Sequence, residues 1–180
     1  MKLMVDLCSG TRSASISMRQ HGWKVISVDY DDSFIADIIA DVRELKATDI
    51  TNDRPLLVWA SPPCDDFARE FMPWSKTGKH PDMSIYASCK RLIEELNPIY
   101  YVIENVVGAQ KYFGKANQHV GPFYLWTNLP PMSRQIKYRK KESRSSNDHI
   151  GRAAIPEIIS ERVRGTIDQT IMLPYPGGSI

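Results

Sequence analysis

The apolar residues of this chain gather in short, nearly unbroken runs, and the segments between them carry helical spacing. Lys2–Cys8, Lys24–Tyr30, Leu56–Ala60, Ile99–Ile103 and Phe123–Trp126 read as strands. Ser13–Gln20 reads as a helix closing at Gly22, and Ser33–Ile39 as a short helix or turn. Between Pro81 and Asn97, Tyr86, Cys89, Leu92, Ile93 and Leu96 share one helical face. Strands alternating with helices leave few options: an α/β fold, an open and mainly parallel sheet with helices on both faces.

A length of 180 residues suits one domain with a core of its own. A formal net charge of +2 is too small to establish a nucleic-acid partner, so the distribution matters more. Most of the imbalance sits late. From Arg134 to Arg152 there are seven basic residues against the two acids Glu142 and Asp148, with little apolar periodicity, so residues 130–149 read as a basic loop. Order resumes over Ala153–Ile171, where Ile155, Ile158, Ile159 and Val163 make a helix face. Three cysteines form no paired framework and point to a reducing compartment. With no membrane-length apolar stretch and no signal-peptide layout at MKLMVDLCSG, the expectation is a soluble, cytoplasmic protein without membrane partners or a metal.

In open α/β sheets, ligands sit beyond the carboxyl ends of the strands. The first strand ends there in Asp6-Leu7-Cys8-Ser9-Gly10, and Gly10 would admit close approach of a ligand to the backbone. The second ends in Asp29, a candidate acceptor for ribose hydroxyls, beside Tyr30, which could stack on a purine; Asp41-Val42 could meet an adenine edge. Neither GxGxxG nor a Walker lysine is present, which favours a nucleoside ligand without phosphates, such as S-adenosylmethionine.

The stretch WASPPCDDFARE places Cys64 directly after Pro62 and Pro63, whose fixed φ angles narrow the positions of the thiol. A location near helix N-termini would lower its pKa and raise its thiolate fraction. Cys89, on a helix stripe, reads as packing, and Cys8 as packing or pocket lining. The next apolar run, Tyr100-Tyr101-Val102-Ile103, ends in Glu104-Asn105-Val106. A carboxyl there is costly unless it has a task or a partner. If the two strands are neighbours, Cys64 and Glu104 share one edge, and an acid of raised pKa could protonate a ring nitrogen while a thiolate attacks the adjacent carbon.

Asp6-x-x-x-Gly10, Pro62-Pro63-Cys64 and Glu104-Asn105-Val106, ordered and correctly spaced across roughly Met1–Asn128, resemble the DNA cytosine-5 methyltransferase family; Ile150–Pro156 resembles its last motif. The resemblance implies a Rossmann-like class I S-adenosylmethionine-dependent methyltransferase fold over residues 1–180. It implies transfer of a methyl group to C5 of cytosine in DNA through a Cys64–C6 adduct with a base flipped out of the duplex. Glu104 would hold N3 and N4 of that base, and Asn105 would shape the loop. Asp6, Cys8, Gly10, Thr11, Asp29, Tyr30, Asp41, Val42 and Pro62 would contact the cofactor, which would leave as S-adenosylhomocysteine.

The sequence also departs from the family pattern. Cys8 stands where an aromatic is usual, Arg12-Ser13 where a glycine pair is usual, and Asp65 where Gln is usual. The family's Gln-x-Arg-x-Arg motif is missing before Phe123–Trp126. Gln135-Ile136-Lys137-Tyr138-Arg139 imitates it later, making Arg139 a candidate catalytic arginine. Arg152 replaces an Asn near the transferable methyl, where it could meet the cofactor's carboxylate, a phosphate or an unusual carboxylated donor. Only about twenty residues, Pro130–His149, replace the usual target-recognition domain, too few for a core. Their charges would bind phosphates with little sequence information. A homodimer or partner chain would supply the rest, an economy suited to a phage enzyme. The alternatives are the same chemistry on RNA and a catalytically silent DNA-binding or regulatory subunit.

Overall fold

The computed structural model describes residues 1–68, 80–132 and 154–172. Strands β1 (Leu3–Leu7), β2 (Lys24–Asp29), β3 (Ile38–Ile39), β4 (Leu57–Ala60), β5 (Tyr100–Asn105), β6 (Gln118–Val120) and β7 (Phe123–Thr127) form one sheet in the order β3-β2-β1-β4-β5-β7-β6. The first five in that order run parallel, and β7 is antiparallel to both β5 and β6. This is the Rossmann-like α/β architecture that the strand–helix alternation and the family resemblance both imply. Strand order reverses beside β1, so the cleft of such a fold opens beyond the carboxyl ends of β1 and β4.

The continuous apolar runs are explained by burial on both faces. Every residue of β1 and of β4 is buried. Alternate residues serve opposite layers. Met4, Leu57, Trp59 and Val102 pack with Met18, Ile159, Val163 and Ile167. Those partners come from helices α1 (Ile16–Gln20) and Glu157–Met172. Val5, Leu7, Val58 and Ile103 pack on the other face with Ile50, Cys89, Leu92 and Leu96. Those come from α2 (Ala47–Ile50) and the longer Ser84–Leu96. Single turns α3 (Asp65–Ala68) and α5 (Gln110–Phe113) complete the set, so Ser84–Leu96 is α4 and Glu157–Met172 is α6.

Several elements differ from the sequence reading. Ser33–Ile39 is a turn followed by the two-residue edge strand β3, because the Asp37 carboxylate accepts the Ser27 N–H (2.8 Å) and hydroxyl (2.6 Å) and fastens that segment alongside β2. Strand β6, carrying the polar Gln118-His119, had no apolar run to betray it; pairing with β7 makes it a strand. Ile158 is 39% exposed, and Ile167 takes its expected place on the buried face of α6. Of the basic stretch, 133–149 lies outside the described residues.

Candidate active site

The loop leaving β1 is conformationally demanding. Cys8, Gly10 and Arg12 have φ of 55°, 47° and 59°, a left-handed region in which only glycine is unstrained. Hydrogen bonds hold the loop in that shape. Asp29 accepts the Gly10 N–H on Oδ2 (2.7 Å) and the Asp31 N–H on Oδ1 (3.0 Å), joining the ends of β1 and β2. Ser13 Oγ accepts the Ile155 N–H at 2.8 Å, which brings the segment before α6 to the loop. The Ser160 hydroxyl donates to the Ala14 carbonyl (2.7 Å) and accepts the Ser17 N–H (3.2 Å), locking α6 against α1.

Beyond β4, the chain turns at Pro62 and Pro63 into Cys64 and the single turn α3. Strands β4 and β5 are parallel neighbours with Ala60 opposite Ile103, so the residues following both emerge at one edge. The Asn105 side chain is buried and occupied at both ends. Nδ2 donates to the Pro62 carbonyl (2.9 Å), and Oδ1 accepts the Val106 N–H (2.9 Å). Asn105 therefore pins the proline corner that presents Cys64. Trp59, wholly buried, donates its indole N–H to Ser61 Oγ at 2.9 Å, leaving the Ser61 proton free for Glu104.

These elements enclose a cleft of about 270 Å³. The β1 loop contributes Cys8, Ser9, Gly10, Thr11 and Ser13, and Phe34, Ala154 and Ile155 also line it. Ser61, Pro63, Cys64 and Asp65 form the wall beyond β4. Two features suit a polar ligand that approaches the backbone closely. The Ser9 hydroxyl is buried without a hydrogen-bond partner, and a Cβ built on Gly10 meets nothing within 4 Å. Thus the residues present fit a nucleoside such as S-adenosylmethionine.

Burial favours the neutral forms of Glu104 and Cys64. Burial pushes the Glu104 carboxyl up to about 8, against a hydrogen bond from Ser61. Burial, with the negative charges of Asp65 and Glu104, pushes the Cys64 thiol up to about 11. This reverses the expected fall in thiol pKa: α3 is one turn long and begins with Asp65 and Asp66, whose charges oppose any helix-end effect. Asp6 is fully buried and pushed up to about 7 by desolvation, and neither of its oxygens has a partner at hydrogen-bond distance. The Ser15 hydroxyl, which acts to lower it, donates to the Arg12 carbonyl at 3.2 Å.

Of the residues singled out from the sequence, Cys8, Gly10, Thr11 and Cys64 line the cleft. Cys8 also lies with its sulfur 3.9 Å from that of Cys89. Asp29 braces the loop, while Asp6 lies beneath it without reaching the cleft wall. Others are placed elsewhere. The Val42 side chain belongs to the core, and its carbonyl accepts from Arg91 (3.2 Å). Asp41 is held by the Arg43 guanidinium, and Tyr30 is 69% exposed outside the cleft. Pro62 faces a neighbouring hollow of about 320 Å³ with Asp82, Ile85 and Tyr86. Arg139 and Arg152 lie outside the described residues. Ala154 and Ile155, part of the stretch that resembles the family's last motif, also line the cleft, whereas Phe34, Ser61 and Ser13 were not singled out as site residues; of these only Ser61, adjoining the proline corner, carried a signal in its position. Among the described residues no helix is long and apolar enough to cross a membrane, and no cluster of His, Cys, Asp or Glu is placed to hold a metal.

The family model for C-5 cytosine-specific DNA methylases matches residues 3–119. Among solved structures, the chain is similar to one assigned as a DNA modification methyltransferase encoded within an E. coli prophage, at 24% identity and TM-score 0.48, covering 63% of this chain and 35% of that one. It is also similar to Spodoptera frugiperda DNMT2 (18% identity, TM-score 0.44, covering 62% and 37%). A third is the Entamoeba histolytica methyltransferase EhMeth (14% identity, TM-score 0.46, covering 62% and 40%). The chain thus spans 35–40% of the length of these proteins. No curated protein matches it significantly. Since the matched span takes in the β1 loop, the proline–cysteine corner and the Glu104 strand end, this chain belongs to the C-5 cytosine-specific DNA methylase family.

Proposed function

We propose that this chain transfers a methyl group from S-adenosylmethionine to C5 of cytosine in DNA, with Cys64 as nucleophile and Glu104 as the acid that binds the base. The observation carrying this reading is the convergence of Cys64, on a corner braced by Asn105, with a buried Glu104 at the end of the adjacent parallel strand.

Cytosine C5 is a poor nucleophile until C6 is attacked. The Cys64 thiolate would form a bond to C6 as the displaced electron pair moves onto the ring and N3 takes the Glu104 proton. C5 then carries the electron density that accepts the methyl group, which the bound sulfonium cofactor supplies. Removal of the C5 proton by a base returns the pair to the ring, and the C–S bond breaks to free Cys64. Reaching this cleft obliges the target to leave the stack, costing a few kcal/mol in duplex DNA. Asp29 retains unused lone pairs for ribose hydroxyls while holding Gly10. With the thiol pushed up to about 11, the reactive ionisation must arise in the complex, where a cation beside Cys64 would assist. Arg139, on the basic stretch, is our candidate, and a partner chain or second protomer would extend recognition of the duplex.

Trapping on an oligonucleotide containing 5-fluorocytosine, with S-adenosylmethionine, tests this reading, because fluorine at C5 blocks elimination. A covalent adduct that survives Cys89→Ser and disappears in Cys64→Ser is the expected result. Adduct on an RNA analogue alone would move the substrate class. Absence of adduct on both, with a duplex-binding partner added, would leave a silent subunit.

A further inference from the structure

The proposed chemistry uses one cysteine of three. The other two, Cys8 and Cys89, stand 81 positions apart in the chain, yet their sulfurs lie 3.9 Å from each other. Cys8 follows β1 and turns the chain at φ 55°. It belongs to two surroundings at once. On one side it lines the cleft, and on the other it packs on the layer that holds Cys89, Val58 and Leu92. Cys89, on α4, is wholly buried. The pair therefore links the cleft wall to the helix behind it.

Thiols in contact are often packing alone. Here one of the two borders a cleft, so a small oxidant entering that cleft meets Cys8 first. The hydrogen bond with Cys89, together with burial, pushes the Cys8 thiol up, which keeps the pair reduced and slow to react at rest. A peroxide supplies the missing driving force. The Cys8 sulfur attacks one peroxide oxygen, the O–O bond breaks, and a first water leaves a sulfenic acid on Cys8. The Cys89 sulfur then attacks the Cys8 sulfur and displaces a second water. Two thiols lose two electrons and two protons, and one hydrogen peroxide becomes two waters.

We propose that Cys8 and Cys89 close to a disulfide under peroxide, and that this bond lowers the affinity of the cleft for its nucleoside. Bonded sulfurs stand about 2.0 Å apart, so closure draws Cys8 towards α4 and out of the cleft wall. The rest of the loop resists that shift, because the Ser9 N–H is held by the Val28 carbonyl (3.0 Å) and the Gly10 N–H by Asp29 (2.7 Å). A ligand fitted to the reduced wall loses contacts at Cys8. The choice of nucleoside rests on the functional reading above, and the two fail in different ways.

The test takes Cys64→Ser as background, which removes the third thiol, and Cys64→Ser with Cys89→Ala as control. Each is treated with hydrogen peroxide and mapped by mass spectrometry without reductant. Calorimetry then gives its affinity for S-adenosylhomocysteine before oxidation, after it, and after dithiothreitol. Expected in the background are a linked Cys8–Cys89 peptide and binding weakened about fivefold or more, restored by dithiothreitol. The loss should scale with the linked fraction and be absent from the control. Because coupling is reciprocal, saturating S-adenosylhomocysteine should slow the crosslink. No linked peptide, or a crosslinked protein that binds as well as the reduced one, overturns the inference and leaves the methyltransferase reading standing. An equal loss in the control assigns the effect to Cys8 alone and overturns the disulfide. A reduced protein that binds no nucleoside overturns both readings.

Discussion

The two halves of the cleft are built on opposite principles. On the proposed cofactor side, Asp29 is committed to Gly10 and Asp31, Ser13 to Ile155, and Ser160 to Ala14 and Ser17 before any ligand arrives. On the chemical side, Cys64 and Glu104 are held by position, with burial favouring the neutral form of each. The difference teaches that geometry is prepared in advance in both halves, whereas burial around Cys64 and Glu104 leaves charge to be developed, on the proposed mechanism, when substrate binds. A thiolate and a carboxylate held side by side in a low-dielectric cleft would repel, and burial avoids that cost.

The sharpest way to break this comparison is Glu104→Gln. Addition to C6 should slow on the order of a thousandfold, read as the rate of 5-fluorocytosine adduct formation. In the proposed mechanism the reactive pair is thiolate with protonated acid. With Glu104 at about 8 and Cys64 at about 11, its population rises with pH up to about 8 and levels beyond. Glu104→Gln should remove that break and leave a continuous rise; a wild-type profile without a break near 8 would contradict the neutral-acid account.

The same carboxyls govern stability with the opposite sign from a salt-bridged acid. Folded Glu104 keeps its proton up to about 8, but the unfolded chain releases it near 4.5. Over that window the unfolded state binds fewer protons, so stability declines as pH rises and is level above it. Asp6 adds a decline from 3.8 to about 7. At pH 9, Glu104→Gln should be more stable than wild type by a few kcal/mol in urea unfolding, and at pH 4 equal to it.

Substitution on the hydrogen-bonded side should do the reverse. Ser160→Ala orphans the Ala14 carbonyl and the Ser17 N–H, costing about 1–3 kcal/mol at every pH. It should also weaken S-adenosylhomocysteine binding by loosening Ile155 at the cleft. The smallest effect belongs to Ser61→Ala. Removing the hydrogen bond that holds Glu104 down should move the break in the adduct profile to higher pH and raise the plateau in proportion.

Much of the fold was legible because burial on both faces writes itself as unbroken apolar runs: β1, β4 and β5 were visible, as was α4 with its stripe of Cys89, Leu92, Ile93 and Leu96. β3 and β6 were not, because each is an edge strand made by its neighbour's hydrogen bonds and by a side chain such as Asp37. The proposed nucleophile and acid stood out because proline before cysteine and a carboxyl after an apolar run are unusual in single-sequence terms. Phe34 was not, since it reaches the cleft by a turn of the chain that no local pattern encodes.

Local chemistry therefore came from the sequence alone: strand–helix alternation, the Pro62-Pro63-Cys64 corner, and Glu104 ending a buried strand. Tertiary structure alone decided that those two strands are neighbours, that Asn105 spends its side chain on the Pro62 carbonyl, and that Tyr30, Asp41 and Val42 stand apart from the cleft. It also decided the protonation of Cys64, which sequence position suggested would fall and which burial beside Asp65 raises. The physical reason is common to all of these. Propensity and patterning act over a few residues, whereas desolvation, register and through-space charge depend on what the folded chain brings alongside.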